Sequence, residues 1–88
     1  MINQTTAMKE VRLKVQRFLE PALKGQVIDD DENIFELGLV HSLFAMQIIL
    51  FIEKEFNLEL EPDEMKLEEL SSIDSIVSMI SRHLSVAK

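Results

Sequence analysis

The chain has 88 residues, room for one compact domain, because a chain this short buries only about 60–65% of the surface it exposes when unfolded. Apolar residues make up 47% of it and there are two glycines and two prolines, the composition of a folded, helical domain rather than a disordered tail. A formal net charge of −7 with no cysteine argues against nucleic acid as a partner and excludes disulfides and thiolate metal sites.

The amino terminus, Met1 to Glu10, is polar and charged where a signal peptide needs an apolar stretch, and no run approaches the length that spans a bilayer. A cytoplasmic, reducing setting with no membrane partner is the expectation. Charge is uneven along the chain: residues 1–28 carry five basic side chains (Lys9, Arg12, Lys14, Arg17, Lys24) and two acidic ones (Glu10, Glu20). The acid lies downstream, so a partner meeting the second half is expected to be basic.

Met8, Val11, Val15, Phe18 and Leu19 recur at three- and four-residue steps, which predicts a first helix from about Thr6 to Glu20. Thr5 or Thr6 would cap it, and Pro21 would end it, since proline lacks an amide hydrogen and disfavours helix in the residue before it. A long connection, Ala22 to His41, follows. An unstructured loop of that length is uncommon in a compact domain, so Ile34, Phe35 and Leu37 are expected to pin it to the core. Its acidic run, Asp29-Asp30-Asp31-Glu32-Asn33, places Asp29, Asp31 and Asn33 at the first three liganding positions of an EF-hand. The sixth position, which needs glycine, would be Ile34 and the twelfth, which needs a bidentate acid, would be Val40. An EF-hand calcium loop is therefore excluded, and a solvated acidic loop is expected.

From Ser42 to about Phe56 the sequence is nearly continuous in apolar residues and too long for a strand, which predicts a central helix with Ser42 at its start, placed to accept a hydrogen bond from a first-turn amide. Leu43, Met46, Ile49 and Leu50 form one apolar stripe, extended by Ala45, Ile48, Ile52 and Phe56. That leaves Phe44, Gln47, Phe51 and Lys54 as the outward face, which holds no carboxylate. A short helix over Asp63–Leu70 would present Leu67 and Leu70. Ser71-Ser72-Ile73-Asp74, a loose capping box, then opens a last helix carrying Ile73, Ile76, Val77, Ile80 and Leu84 to about residue 84. The expected fold is all-α: a single domain over residues 1–88, built as a small antiparallel four-helix bundle with one short helix.

Phe35-Glu36-Leu37-Gly38-Leu39-Val40-His41-Ser42-Leu43 resembles the attachment motif of acyl and peptidyl carrier proteins, in which a glycine-containing loop delivers a serine to the start of the second helix. The resemblance continues through Glu53-Lys54-Glu55-Phe56-Asn57-Leu58-Glu59-Leu60 and Leu70-Ser71-Ser72-Ile73-Asp74-Ser75-Ile76, so nearly the whole chain is covered. Taken alone, Ser42 reads as a helix cap. The resemblance implies that it carries a covalent 4'-phosphopantetheine from coenzyme A, and the free amides and positive dipole end of a helix start suit a phosphate there. It further implies a chain that is not an enzyme, with no catalytic and no metal-binding residues. A phosphopantetheinyl transferase would install the arm, an acyl-loading enzyme would charge it as a thioester, and a ketosynthase or acyltransferase of a synthase would receive the acyl group. A monomer docking in trans is expected.

His41 stands where the family usually has aspartate before the serine. A His41–Ser42 hydrolase dyad is a poor alternative, because neighbouring side chains diverge, no G-x-S-x-G elbow is present, and His83 lies near the far end of the last helix. The resemblance implies that partners meet His41, Leu43, Phe44, Gln47 and Phe51. Two rings at seven-residue spacing on a wet face suggest a specific apolar partner, since burying each supplies on the order of 1.5–3 kcal/mol; the alternative is that Phe44 and Phe51 turn into the bundle's own core. Gly38 to Gln47 looks more like discrete carriers of hydroxy-, methoxy- or aminomalonyl extender units in polyketide and hybrid peptide antibiotic pathways than like the fatty-acid synthesis carrier. A peptidyl or aminoacyl carrier of nonribosomal peptide synthesis and an arm-less interaction module are the rival readings.

Overall fold

A computed structural model describes residues 4–38 and 40–86. Leu39 of the motif and the first three residues of the amino-terminal segment lie outside the described residues. The described chain is all-helical: α1 (Gln4–Leu23), α2 (Phe44–Phe56), two 3₁₀ turns (Pro62–Met65 and Leu67–Leu70) and α3 (Ile73–Val86). The 3₁₀ turns stand where the short fourth helix was expected. Leu70 is buried and Leu67 exposed, so only the second turn seats a leucine in the core. Lys66, extended at ψ 151°, separates the two turns and prevents them from merging.

Helix α1 presents Val11, Val15 and Leu19 to the core at four-residue steps, as the periodicity predicts, with Met8 and Phe18 half-buried beside them. Its bounds differ from the expectation at both ends. It begins at Gln4, so Thr5 and Thr6 lie inside it, and it runs through Pro21 to Leu23. Proline costs the helix one amide donor, but the loss falls in the final turn and Leu23 is buried. The chain turns out of the helix two residues later than Pro21 suggests, at Lys24 (φ 53°) and Gly25 (φ 83°).

Helix α3 contributes Ile73, Ile76, Val77, Met79 and Ile80, with Leu84 left exposed. Its capping box is shifted by one residue from the expected pair: the Ser75 amide donates to Ser72 Oγ at 3.1 Å and the Ser72 amide to Ser75 Oγ at 3.1 Å. Asp74 is thereby released for another role. Its carboxylate accepts from Arg12 Nη1 at 2.8 Å, and the same nitrogen reaches Asp30 Oδ2 at 2.5 Å.

That shared guanidinium joins α1, the long connection and α3. The Asp74 amide also donates to the Asp30 carbonyl at 2.9 Å, the Ile34 amide to the Ser71 carbonyl at 2.7 Å, and Ile34 itself is fully buried. The acidic run is therefore only partly solvated: Asp29 and Asp31 are exposed, whereas Asp30 is a tie to the bundle. Of the three expected anchors, Ile34 and Phe35 pack on the core and Leu37 is exposed.

At the other end, His83 Nε2 lies 2.8 and 2.9 Å from the two Glu64 carboxylate oxygens, fastening the first 3₁₀ turn to α3. Burial alone would raise the Glu64 pKa, but the Glu61 amide and His83 outweigh it, so the carboxyl lies below its ordinary value.

Two outcomes are expected. Arg12→Ala removes both ion pairs, each partly exposed, and should cost roughly 1–2 kcal/mol; a thermal melt followed by far-UV circular dichroism should fall by roughly 4–16 °C, and an unchanged melt would show the tie to be idle. For Glu64 the sign follows from its lowered pKa: its contribution is complete above the ordinary glutamate value of about 4.3 and is lost as pH falls through the lower folded value. Urea midpoints of the parent and Glu64→Gln should differ at pH 7 and converge as the pH falls below the lowered folded value; a gap that does not narrow in acid would refute the assignment.

Candidate functional site

The segment before α2 is built by local hydrogen bonding. Asn33 Oδ1 accepts the Phe35 and Glu36 amides at 3.0 Å each, and the Leu37 amide closes on the Asn33 carbonyl at 3.1 Å. One helical turn results, and Gly38 (φ 76°) terminates it in the left-handed region that glycine enters without a side-chain clash. The chain then enters α2 through a tight turn, with the amides of Phe44, Ala45 and Met46 bonded to the carbonyls of His41, Ser42 and Leu43 at 2.8, 3.0 and 3.1 Å.

Ser42 is consequently one residue ahead of the position expected for a cap. Leu43 occupies the N-cap in helical conformation, and no side chain caps the helix. The first-turn amides already have backbone acceptors, so the Ser42 hydroxyl has no capping task. The residue is exposed, and among the described residues nothing hydrogen-bonds its hydroxyl. The other described serines differ in setting: Ser71, Ser72 and Ser75 are engaged in hydrogen bonds around the start of α3, and Ser78, Ser81 and Ser85 lie within that helix. Ser42 is the exposed serine that stands on a turn outside the helices.

The rotation of α2 departs from the expectation. Phe44 and Phe51 do not face outward: Phe18 of α1 stacks on Phe51 at 4.2 Å between ring centroids and on Phe44 at 5.7 Å, with interplanar angles of 11° and 18°. Phe56 meets Phe51 edge-on at 5.9 Å, and Lys14 Nζ lies 5.7 Å from the Phe56 centroid. The buried face is Ala45, Ile48, Ile49 and Ile52. The open face is Leu43, Met46 and Leu50, at 80%, 59% and 57% exposure, together with Gln47 and Lys54. Of the residues expected to meet partners, His41, Leu43 and Gln47 are exposed.

The two acids within α2 are engaged. Glu55 pairs with Lys14 at 3.1 Å, and Glu53 Oε2 accepts the Leu60 amide at 3.0 Å, folding the link after α2 back along the helix. Among the described residues no group of acidic and histidine side chains is arranged to hold a metal ion, and no helix is long and apolar enough to cross a membrane.

A family profile described as a phosphopantetheine attachment site matches residues 9–80, the body of the fold from α1 through most of α3. The chain belongs to the phosphopantetheine-binding carrier proteins. It is a non-catalytic carrier, and the group it holds covalently is 4'-phosphopantetheine. Two D-alanyl carrier proteins are similar to it: that of Lactobacillus acidophilus is 32% identical over 60 residues, spanning 66% of this chain and 76% of its own length. That of Lactobacillus helveticus is 30% identical over the same shares. No solved structure matches the chain.

The carrier's residues fit such a group, since an exposed, unengaged hydroxyl sits on the turn that opens α2. Sequence reasoning placed Leu43 among the partner-binding residues but missed Met46 and Leu50, which continue it as an open stripe. Their spacing of three and four residues is visible in the chain, but α2 is apolar on several sides and the spacing alone does not tell which side is covered.

Opposite outcomes are expected on the two faces. Phe51→Asp should destabilise the carrier by about 2–3 kcal/mol, because it breaks a half-buried ring stack. Leu50→Asp and Met46→Asp should stay within about 0.5 kcal/mol of the parent. Denaturant midpoints check this, and a Phe51→Asp protein as stable as the parent would return that ring to the outer face.

Proposed function

We propose that the arm is attached to Ser42 and that the carrier holds an acyl group there as a thioester for partner enzymes. The observation that carries this reading is the exposed Ser42 hydroxyl on a turn whose amides are already bonded, within the matched family region. A phosphopantetheinyl transferase would use that hydroxyl as the nucleophile on coenzyme A: the Ser42 Oγ–phosphorus bond forms, the hydroxyl proton is lost, and the adenosine bisphosphate half leaves. When bound, the arm supplies a thiol that carries the acyl group. The polypeptide presents the cargo, and residues 1–88 act as a single carrier domain working in the cytoplasm.

The cargo reading rests on the Gly38–Gln47 segment, whose resemblance supports an acyl unit of polyketide or hybrid peptide–polyketide antibiotic assembly, passed to a ketosynthase or acyltransferase. An aminoacyl cargo is the second reading, favoured by the D-alanyl carrier proteins among its relatives. Partner enzymes would dock on Leu43, Met46, Gln47 and Leu50, with His41 beside Ser42. That face offers apolar area and no free acid, so its partners need an apolar cradle rather than the basic patch that an acidic helix would select.

Intact-protein mass spectrometry after treatment with a phosphopantetheinyl transferase and coenzyme A should show the gain of one arm, absent from Ser42→Ala. No gain, or a gain that survives Ser42→Ala, overturns the assignment. Incubation of the arm-bearing protein with candidate acyl-loading and amino-acid-adenylating enzymes then separates the two cargo readings.

A further inference from the structure

Charge is distributed unevenly over the surface of the carrier. Of its sixteen acidic residues only Glu10, Glu20, Glu53 and Glu55 lie on α1 and α2. Glu53 holds the Leu60 amide and Glu55 holds Lys14. Glu20 follows Phe18 by two residues, so it projects away from the side of α1 that meets α2. Glu10 lies a turn before Lys14, whose partner Glu55 is already next to the last residue of α2.

The cations are placed the other way. Arg12 is taken up by Asp30 and Asp74, on the side of α1 that meets the connection and α3. Arg17, Lys24 and Lys54 are exposed, and among the described residues none of them lies within ion-pair distance of a carboxylate. Three contacts set α1 and α2 side by side in opposite directions. Lys14 meets Glu55, Phe18 stacks on Phe51 and Phe44, and Lys24 lines an open groove with Leu43, Phe44 and Gln47. Gln47 is three or four residues from Phe44 and Phe51 on one side and from Leu43 and Leu50 on the other, and Lys54 shares its strip two turns on. The three cations therefore border the open apolar stripe along its α1 side.

We propose that this rim selects partner enzymes whose docking surface carries carboxylates beside an apolar cradle, a claim that rests on docking over Leu43, Met46, Gln47 and Leu50. Charge complementarity names the partner: an acidic edge laid against α1 meets Arg17, Lys24 and Lys54, whereas a surface rich in lysine and arginine meets like charge there. The net charge of −7 does not reverse this choice. At 0.1 M salt the Debye length is about 10 Å, so a docked partner experiences the rim beneath it more than the acids on the connection, the 3₁₀ turns and α3.

The test uses two phosphopantetheinyl transferases chosen for the charge of their carrier-docking surfaces, one acidic and one basic, with arm transfer from coenzyme A followed by intact mass at 0.1 M salt. Arg17→Glu/Lys24→Glu should lower kcat/KM roughly tenfold with the acidic enzyme and raise it by a similar factor with the basic one. Both effects should fade at 1 M salt, where the Debye length is about 3 Å. Lys9→Glu/Lys66→Glu changes the net charge equally, but Lys9 lies on the other side of α1 and Lys66 between the 3₁₀ turns. That control should stay within about twofold of the parent with either enzyme. Effects of one sign with both enzymes, or a control that matches the rim variant, overturn the proposal. The uncharged Leu50→Ser and Met46→Ser separate it from the docking reading. If they slow transfer while the rim variant changes nothing, the rim is idle and docking on the stripe stands. If they slow neither enzyme, the docking reading fails and takes the rim with it.

Discussion

The rotation of α2 about its own axis depends on Phe18. That ring projects from α1 and stacks on two residues of α2 seven positions apart, Phe44 and Phe51, which lie about two helical turns from one another. A contact at one point would leave the helix free to roll, whereas contacts at two heights on one side prevent it. With α2 held in this way, Ala45, Ile48, Ile49 and Ile52 enter the core, and Leu43, Met46 and Leu50 are left in water. An exposed apolar stripe on a small acidic domain is costly in solvent, and it is the kind of surface that marks a protein-protein contact.

A second constraint delivers Ser42 to the same end of the molecule. The connection between α1 and α2 is long, and it would wander if only its ends were fixed. Ile34 is buried, its amide bonds to the Ser71 carbonyl, and Arg12 clamps Asp30 to Asp74. From that fixed point, one turn capped by Asn33 and ended by Gly38 leads into the 3₁₀-like entry to α2. The result is a hydroxyl at a defined place but outside the helix proper, where it is reachable and not engaged in capping. The proposed attachment at Ser42 would need that combination, because the modifying enzyme and every later partner would have to find the same point.

The elements that came readily from the sequence share one property: their signal is local. Val11, Val15 and Leu19 repeat at helical spacing, the nearly continuous apolar run from Ser42 to about Phe56 is too long for a strand, and Ile73, Ile76, Val77 and Ile80 mark α3. The motif around Ser42 was legible for the same reason, since a glycine before a serine that opens an apolar helix is a pattern within a few residues. What was misread depended on contacts made elsewhere. Pro21 marks a helix end by its own chemistry, yet burial of Leu23 carries α1 past it. Asp74 looks like the acid of a capping box until Arg12, sixty-two positions away, claims it.

The sequence by itself determined that this is an all-helical carrier, because helical periodicity is encoded by residues close together in the chain and the resemblance to carrier proteins runs along nearly all of it. Only the tertiary structure decided which side of the central helix is open. Nearly every position from Leu43 to Ile52 is apolar, so its own pattern admits more than one buried face, and the choice falls to a single ring on α1. Phe44 and Phe51 therefore belong to the packing of the bundle, and Leu43, Met46 and Leu50 to its surface.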